Sequence, residues 1–233
     1  WPTTSSRVAG RSLDANGDSR SRVFDFAYSN KSIVFLHNHI IKKKKWKLII
    51  MLKKFSVENF KGFKDKITLD IGTPSNYSFN SEIIENGCIT KGIIYGINSC
   101  GKSNLGLAIF DIITHLTEKQ KLLGSYDFYL NMSGRKSFAE FEYTFVFAGH
   151  EVVYKYSKMD VNSLKSESLS IDGKEVIFFD FLTRDGFTLL EGSDTLNASI
   201  RNESPISRVK YVNSNSILSD NVQNQVFKKF IDF

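Results

Sequence analysis

The chain has 233 residues, 41% hydrophobic and 24% charged, a composition that fits a globular protein and excludes disordered, collagen-like and short disulfide-framed classes. Its two cysteines, Cys88 and Cys100, form no CxxC pair, so neither a disulfide framework nor a cysteine-rich zinc site is indicated and a reducing cytoplasm is the expected setting. The net charge of +6 is local: residues 1–50 hold ten Lys/Arg against three Asp/Glu, and residues 51–233 hold 21 against 22, so the body of the chain shows no basic stripe for nucleic acid.

The chain opens on Trp1 and its first methionine is Met51. Residues 1–30 are rich in Ser, Arg, Asp, Asn and Gly without an apolar period, so little there offsets the entropy of ordering and disorder is expected. A basic cluster at 42–47 could attract phosphates, and His37 and His39 could share a metal, but no third ligand is near. Residues 1–50 are therefore read as a disordered or non-native leader and residues 51–233 as the protein proper. No run reaches the roughly 18 apolar residues of a membrane span; the stretch 33–41 is broken by His37, Asn38 and His39. No membrane partner is expected.

From Met51 the pattern becomes regular. Phe55 and Val57 alternate with Ser56 and Glu58, then Ile67, Leu69 and Ile71 with Thr68 and Asp70, which predicts a β-hairpin over 52–71. Residues 72–90 read as a loop with room for a short helix. Gly92-Ile93-Ile94-Tyr95 reads as a short buried strand, and Leu105, Ala108, Ile109, Ile112 and Leu116 recur at three and four, so a strand, a glycine loop and a helix span 92–120. Phe141, Tyr143, Phe145 and Phe147 alternate with polar residues and open an antiparallel β section over 138–190, with turns expected at Gly149, Asp172-Gly173 and Asp185-Gly186. Val222, Val226, Phe227 and Phe230 mark a helical region at 221–233.

The chemistry lies between the strand and the helix. Gly96-Ile97-Asn98-Ser99-Cys100-Gly101-Lys102-Ser103 meets GxxxxGK[ST] at every fixed position. Gly96 and Gly101 let the main chain curl so that successive N–H groups face a phosphate, and the helix start adds its positive end. Lys102 is the expected partner of the β- and γ-phosphates, and the Ser103 hydroxyl the expected ligand of Mg2+. Residues 96–104, ending at Asn104, thus form the candidate ATP site. Cys100 is read as a spacer.

Leu52-Lys53-Lys54-Phe55-Ser56-Val57-Glu58-Asn59-Phe60-Lys61-Gly62-Phe63, with Tyr95-Gly96-Ile97-Asn98 and Gly101-Lys102-Ser103-Asn104-Leu105, resembles the N-terminal lobe of ABC-type ATPases related to RecF and SMC, and within them AAA-family ATP-binding proteins allied to OLD-type ATPases. The resemblance spans about 51–233 and is strongest over 52–71 and 92–109. It implies an α/β P-loop NTPase lobe with an antiparallel β section, cut before its C-terminal half. It also implies Mg-ATP, a nucleotide site shared by a homodimer, and DNA or a nuclease or toxin as partner in DNA maintenance or phage defence. Asn59, Lys61 and Phe63 become candidates for the base side of the pocket; an ordinary hairpin connection is the alternative. The family's Asp-Glu strand end and signature helix are not found: 176–180 ends on Asp180, but Phe181 stands where the glutamate belongs, and 169–173 fits a hairpin better than a signature. Binding with poor turnover is the expectation for this stretch. A nucleotide-dependent interaction module of a defence complex and a small P-loop kinase are the rival readings.

Overall fold

A computed structural model describes residues 32–37 (backbone only), 50–74, 81–117, 127–197 and 207–232. Residues 1–30, the basic cluster at 42–47 and His39 lie outside the described residues. In chain order the elements are β1 (Ser32–His37), β2 (Met51–Glu58), β3 (Ile67–Asp70), a 3-10 turn (Ser81–Ile83), β4 (Ile84–Glu85), β5 (Cys88–Ile89), β6 (Lys91–Gly96) and α1 (Lys102–Thr117). They continue with β7 (Ala139–Phe147), β8 (His150–Lys158), β9 (Leu164–Ile171), β10 (Lys174–Asp180), β11 (Asp185–Thr188), α2 (Asp194–Asn197), α3 (Arg208–Asn215) and α4 (Val222–Asp232).

The architecture is mixed α/β. A seven-stranded antiparallel sheet runs β11-β10-β9-β8-β7-β2-β3, and β6 lies apart from it in a ribbon with β1. Within the stretch expected to be a leader, Ser32–His37 thus forms a strand, registered from Ser32 opposite Gly96 to His37 opposite Lys91. No described helix is long and apolar enough to cross a membrane.

Period-two alternation decides which sheet face is buried. Tyr143 stands opposite both Phe55 and Tyr154, and Phe141 opposite Val57 and Tyr156, so the rings of three strands meet on one face. Each such fully buried apolar side chain contributes about 1.5–3 kcal/mol relative to exposure. α1 covers this face through Ala108, Ile109 and Ile112, and the Tyr143 hydroxyl donates to Ala108 O at 2.8 Å. α4 covers it farther along, with Phe230 against the rings of Phe145 and Tyr154. The opposite face is polar, where Lys136 pairs with Glu58 and Glu140 and Lys66 with Glu142.

β6, read from the sequence as a short buried strand, is instead largely exposed, with Ile93 at 59% and Tyr95 at 77%, because it lies outside the seven-stranded sheet. Three further local features differ from the sequence expectations. The β10–β11 turn falls at residues 181–184, ahead of Asp185-Gly186, which belongs to β11. Asp180 Oδ1 accepts the amides of Leu182 and Thr183, and this side-chain-capped turn sets the reversal early, with Arg184 at φ +57°. Gly186 is needed for closeness instead: a Cβ there would stand 2.2 Å from Phe178 O and 2.8 Å from Phe179 Cα. Gly186→Ala is expected to cost roughly 1–3 kcal/mol, the usual range for overpacking, read as a lower urea midpoint with unchanged slope. Asn86 and Gly87, both at positive φ, make the β4–β5 hairpin inside the predicted loop. α3, which no clear apolar period announces, starts where Ser207 Oγ accepts the Lys210 amide.

Candidate functional site

β6 ends at Gly96 and α1 begins at Lys102, so residues 97–101 make a strand-to-helix bend. The bend needs two left-handed residues, Ser99 at φ +64° and Gly101 at φ +97°. Gly96 leaves room for Cys100: a Cβ there would lie 2.8 Å from its Sγ, which would have to turn aside. Cys100 N donates to Ile97 O at 3.4 Å, while among the described residues the amides of Asn98, Ser99 and Gly101 make no hydrogen bond. Those amides are the donors an anion would require.

Lys102 is folded into its own loop. Its Nζ donates to Gly96 O at 2.9 Å and Ile97 O at 2.5 Å and stands 3.5 Å from Cys100 Sγ, with the residue only 7% exposed. The ammonium thereby satisfies carbonyls at the mouth of the loop. A phosphate would have to draw it from these partners. Ser103 is exposed at the start of α1, and Asn104 is half-buried behind it.

The 59–63 turn abuts this loop. A Cβ on Gly101 would meet the Phe63 ring at 3.1 Å, and one on Gly62 would meet Asn104 Nδ2 at 3.0 Å. Of the three candidates for the base side, Phe63 lies directly against the loop. Asn59 is buried, and its Nδ2 donates to Lys136 O and Phe138 O, which pins the turn to the entry of β7. Lys61 donates from Nζ to Asp127 O at 2.8 Å, and burial draws its ammonium below the ordinary 10.5.

Residues 176–180, which end on Asp180 with Phe181 where a glutamate would belong, form a sheet strand with a turn-capping end: Asp180 closes the β10–β11 turn. Asp172 ties the β9–β10 turn to the start of β8, accepting from the Glu151 amide and pairing with His150 at 2.7 Å. Among the described residues no three His, Cys, Asp or Glu side chains gather as a metal site. A cavity of about 330 Å3 lies away from the loop, on the polar sheet face, between side chains such as Lys66, Glu142 and Lys155 that are paired with one another.

Behind the loop, α1 is anchored by polar groups that periodicity alone did not single out. Asp111 and Lys158 form an ion pair of 2.6 Å with both side chains almost fully buried, and the Tyr156 hydroxyl donates to the same carboxylate oxygen at 2.9 Å. One turn on, the Tyr154 hydroxyl donates to Glu167 Oε1 at 2.5 Å, so it accepts from His115 Nε2 at 2.7 Å. Ser207 Oγ and the Arg208 amide complete the carboxylate's partners and tie it to the start of α3. Burial draws the His115 imidazole below its ordinary 6.5, opposed by its contact with Glu167. Burial alone would raise Glu167, yet the hydrogen bonds converging on it leave its carboxyl below 4.5. His115 is thus a structural residue of the core. Compared with known family models and with curated proteins, the chain has no match.

Proposed function

We propose that residues 96–104 bind the phosphate tail of ATP with Mg2+, as the nucleotide-binding lobe of an ATPase of the ABC type related to RecF, SMC and OLD-type proteins. The observation that carries the reading is the union of the GxxxxGK[ST] sequence with a strand-to-helix bend whose Asn98, Ser99 and Gly101 amides are unbonded among the described residues. Unbonded backbone donors and a helix start would offer positive partial charge to an anion, Lys102 would supply a mobile charge, and Ser103 a hydroxyl for the cation. The Ser103 hydroxyl would hold Mg2+, which would supply positive charge to offset that of the phosphates.

The proposed activity of these residues is binding. No described carboxylate is assigned to activate water at the loop, and in the family that the sequence resembles this group comes from a later segment and the signature from a second protomer. Hydrolysis is accordingly proposed for an assembly that supplies both. Calorimetric titration with Mg-ATP, Mg-ADP and AMP tests the reading. Affinity should fall as phosphates are removed, AMP binding at least tenfold more weakly than ATP; equal affinity for all three, or none for any, would refute it.

A further inference from the structure

We propose that Phe128 is the platform on which the nucleobase stacks, an inference that rests on the nucleotide reading above. Phe128 is a large apolar side chain left 77% exposed, and its backbone sits at φ +52°, a region that bulky residues rarely occupy. The conformation is enforced from both sides. Lys61 Nζ holds Asp127 O at 2.8 Å, and the Lys61 amide donates to Tyr129 O at 3.0 Å. Asn131 Nδ2 returns a bond to Lys61 O at 2.6 Å. Tyr129, the next residue, turns inward against Phe60 and Phe141, so Phe128 is the aromatic of the pair held out in solvent.

The segment that carries Phe128 is bonded to the same five-residue turn that sets Phe63 on Gly101 and Gly62 against Asn104. The phosphate loop and the Phe128 rim therefore flank one short turn. A nucleotide with its phosphates in the loop would pass the half-buried Lys61 on its way to the ring. An aromatic platform accepts any base face and favours the larger purines through contact area, without reading the hydrogen-bonding edge that separates adenine from guanine.

The test uses the chain with Mg-ATP, Mg-GTP and inorganic triphosphate as calorimetric probes, on the wild type, Phe128→Ala, Phe128→Trp and Tyr95→Ala, the last removing another exposed aromatic that precedes the loop. Phe128→Ala is expected to weaken ATP and GTP by about tenfold each, the effect of losing one stacked base, and to leave triphosphate unchanged. Phe128→Trp should restore both nucleotides, and Tyr95→Ala should change nothing. Wild-type ATP affinity in Phe128→Ala, a parallel loss of triphosphate, or transfer of the loss to Tyr95→Ala would overturn the platform. If the wild type binds neither ATP nor triphosphate, the nucleotide reading itself fails; if it binds both and Phe128→Ala behaves as wild type, the platform alone fails.

Discussion

Lys102→Ala is expected to weaken Mg-ATP binding by roughly 10- to 150-fold, the equivalent of about 1.5–3 kcal/mol for hydrogen bonds to a charged group. In the free protein the ammonium bridges Gly96 O and Ile97 O, so the lysine has two states to serve: a clasp on the loop and a counter-charge for phosphate. Lys102→Arg keeps the charge, but its planar head cannot take both positions of a compact ammonium in so small a loop, and it should recover only part of the affinity. The sensitive measurement is titration with Mg-ATP beside a thermal melt. Alanine affinity within twofold of wild type would remove Lys102 from the site, and a melt lowered with affinity unchanged would assign the lysine to the clasp alone.

Asp111→Ala carries the largest expected stability loss, roughly 3–5 kcal/mol, because it strands a buried ammonium. Lys158 is 2% exposed, and Asp111 is the acid within 2.6 Å of it. Burial already lowers Lys158 below 10.5, with Asp111 opposing that fall; without the carboxylate the folded pKa must drop further. The sign follows from proton counting: the unfolded chain then binds more protons than the folded one between the folded pKa of Lys158 and about 10.4. Stability of the variant should therefore rise with pH across that window, more steeply than in the wild type. Urea denaturation at several pH values reads this out. Replacing both partners with apolar residues, Asp111→Leu with Lys158→Met, should recover most of the loss, since the pair's attraction mainly offsets its own desolvation. A double variant no more stable than Asp111→Ala would show that the two charges do not act as a pair.

Much of this fold was readable in the chain because its signals are local. The alternation at Phe141, Tyr143, Phe145 and Phe147 needs only seven consecutive residues, and each of those rings is buried. Ala108, Ile109 and Ile112 of α1 are likewise buried as their spacing requires. Elsewhere two signals competed. Asp185-Gly186 has the composition of a turn, but the carboxylate of Asp180 captures the amides of Leu182 and Thr183 first, and the glycine is spent on a tight approach to Phe178. Asn86-Gly87 was an equally good turn signal, hidden by the weak periodicity of its two-residue strands.

The anchor of α1 illustrates a limit of a different kind. Asp111 and Lys158 are 47 positions apart, and no local rule joins them. A clue existed nonetheless: Asp111 falls within the apolar stripe of Ala108 and Ile112, and Lys158 follows Val152, Tyr154 and Tyr156 on the inward face of β8. One charge of each sign on two apolar faces is a reason to ask whether those faces meet. For the 96–104 loop the sequence was more generous, since the motif residues are contiguous and lead into a helix start, although the left-handed Ser99 had no glycine to announce it. The outward setting of Phe128 had no such signal, because it arises from a bond between Lys61 and Asp127, 66 positions on.

One helix carries both Lys102 and Asp111, which at 1.5 Å per residue lie about 14 Å apart along its axis. A rod bolted at its middle by a dry ion pair, and again at His115, cannot tilt freely without tearing those fastenings. It serves as a stiff mount, and any accommodation of an incoming anion has to be made by the few residues ahead of the rod and by the swing of one lysine.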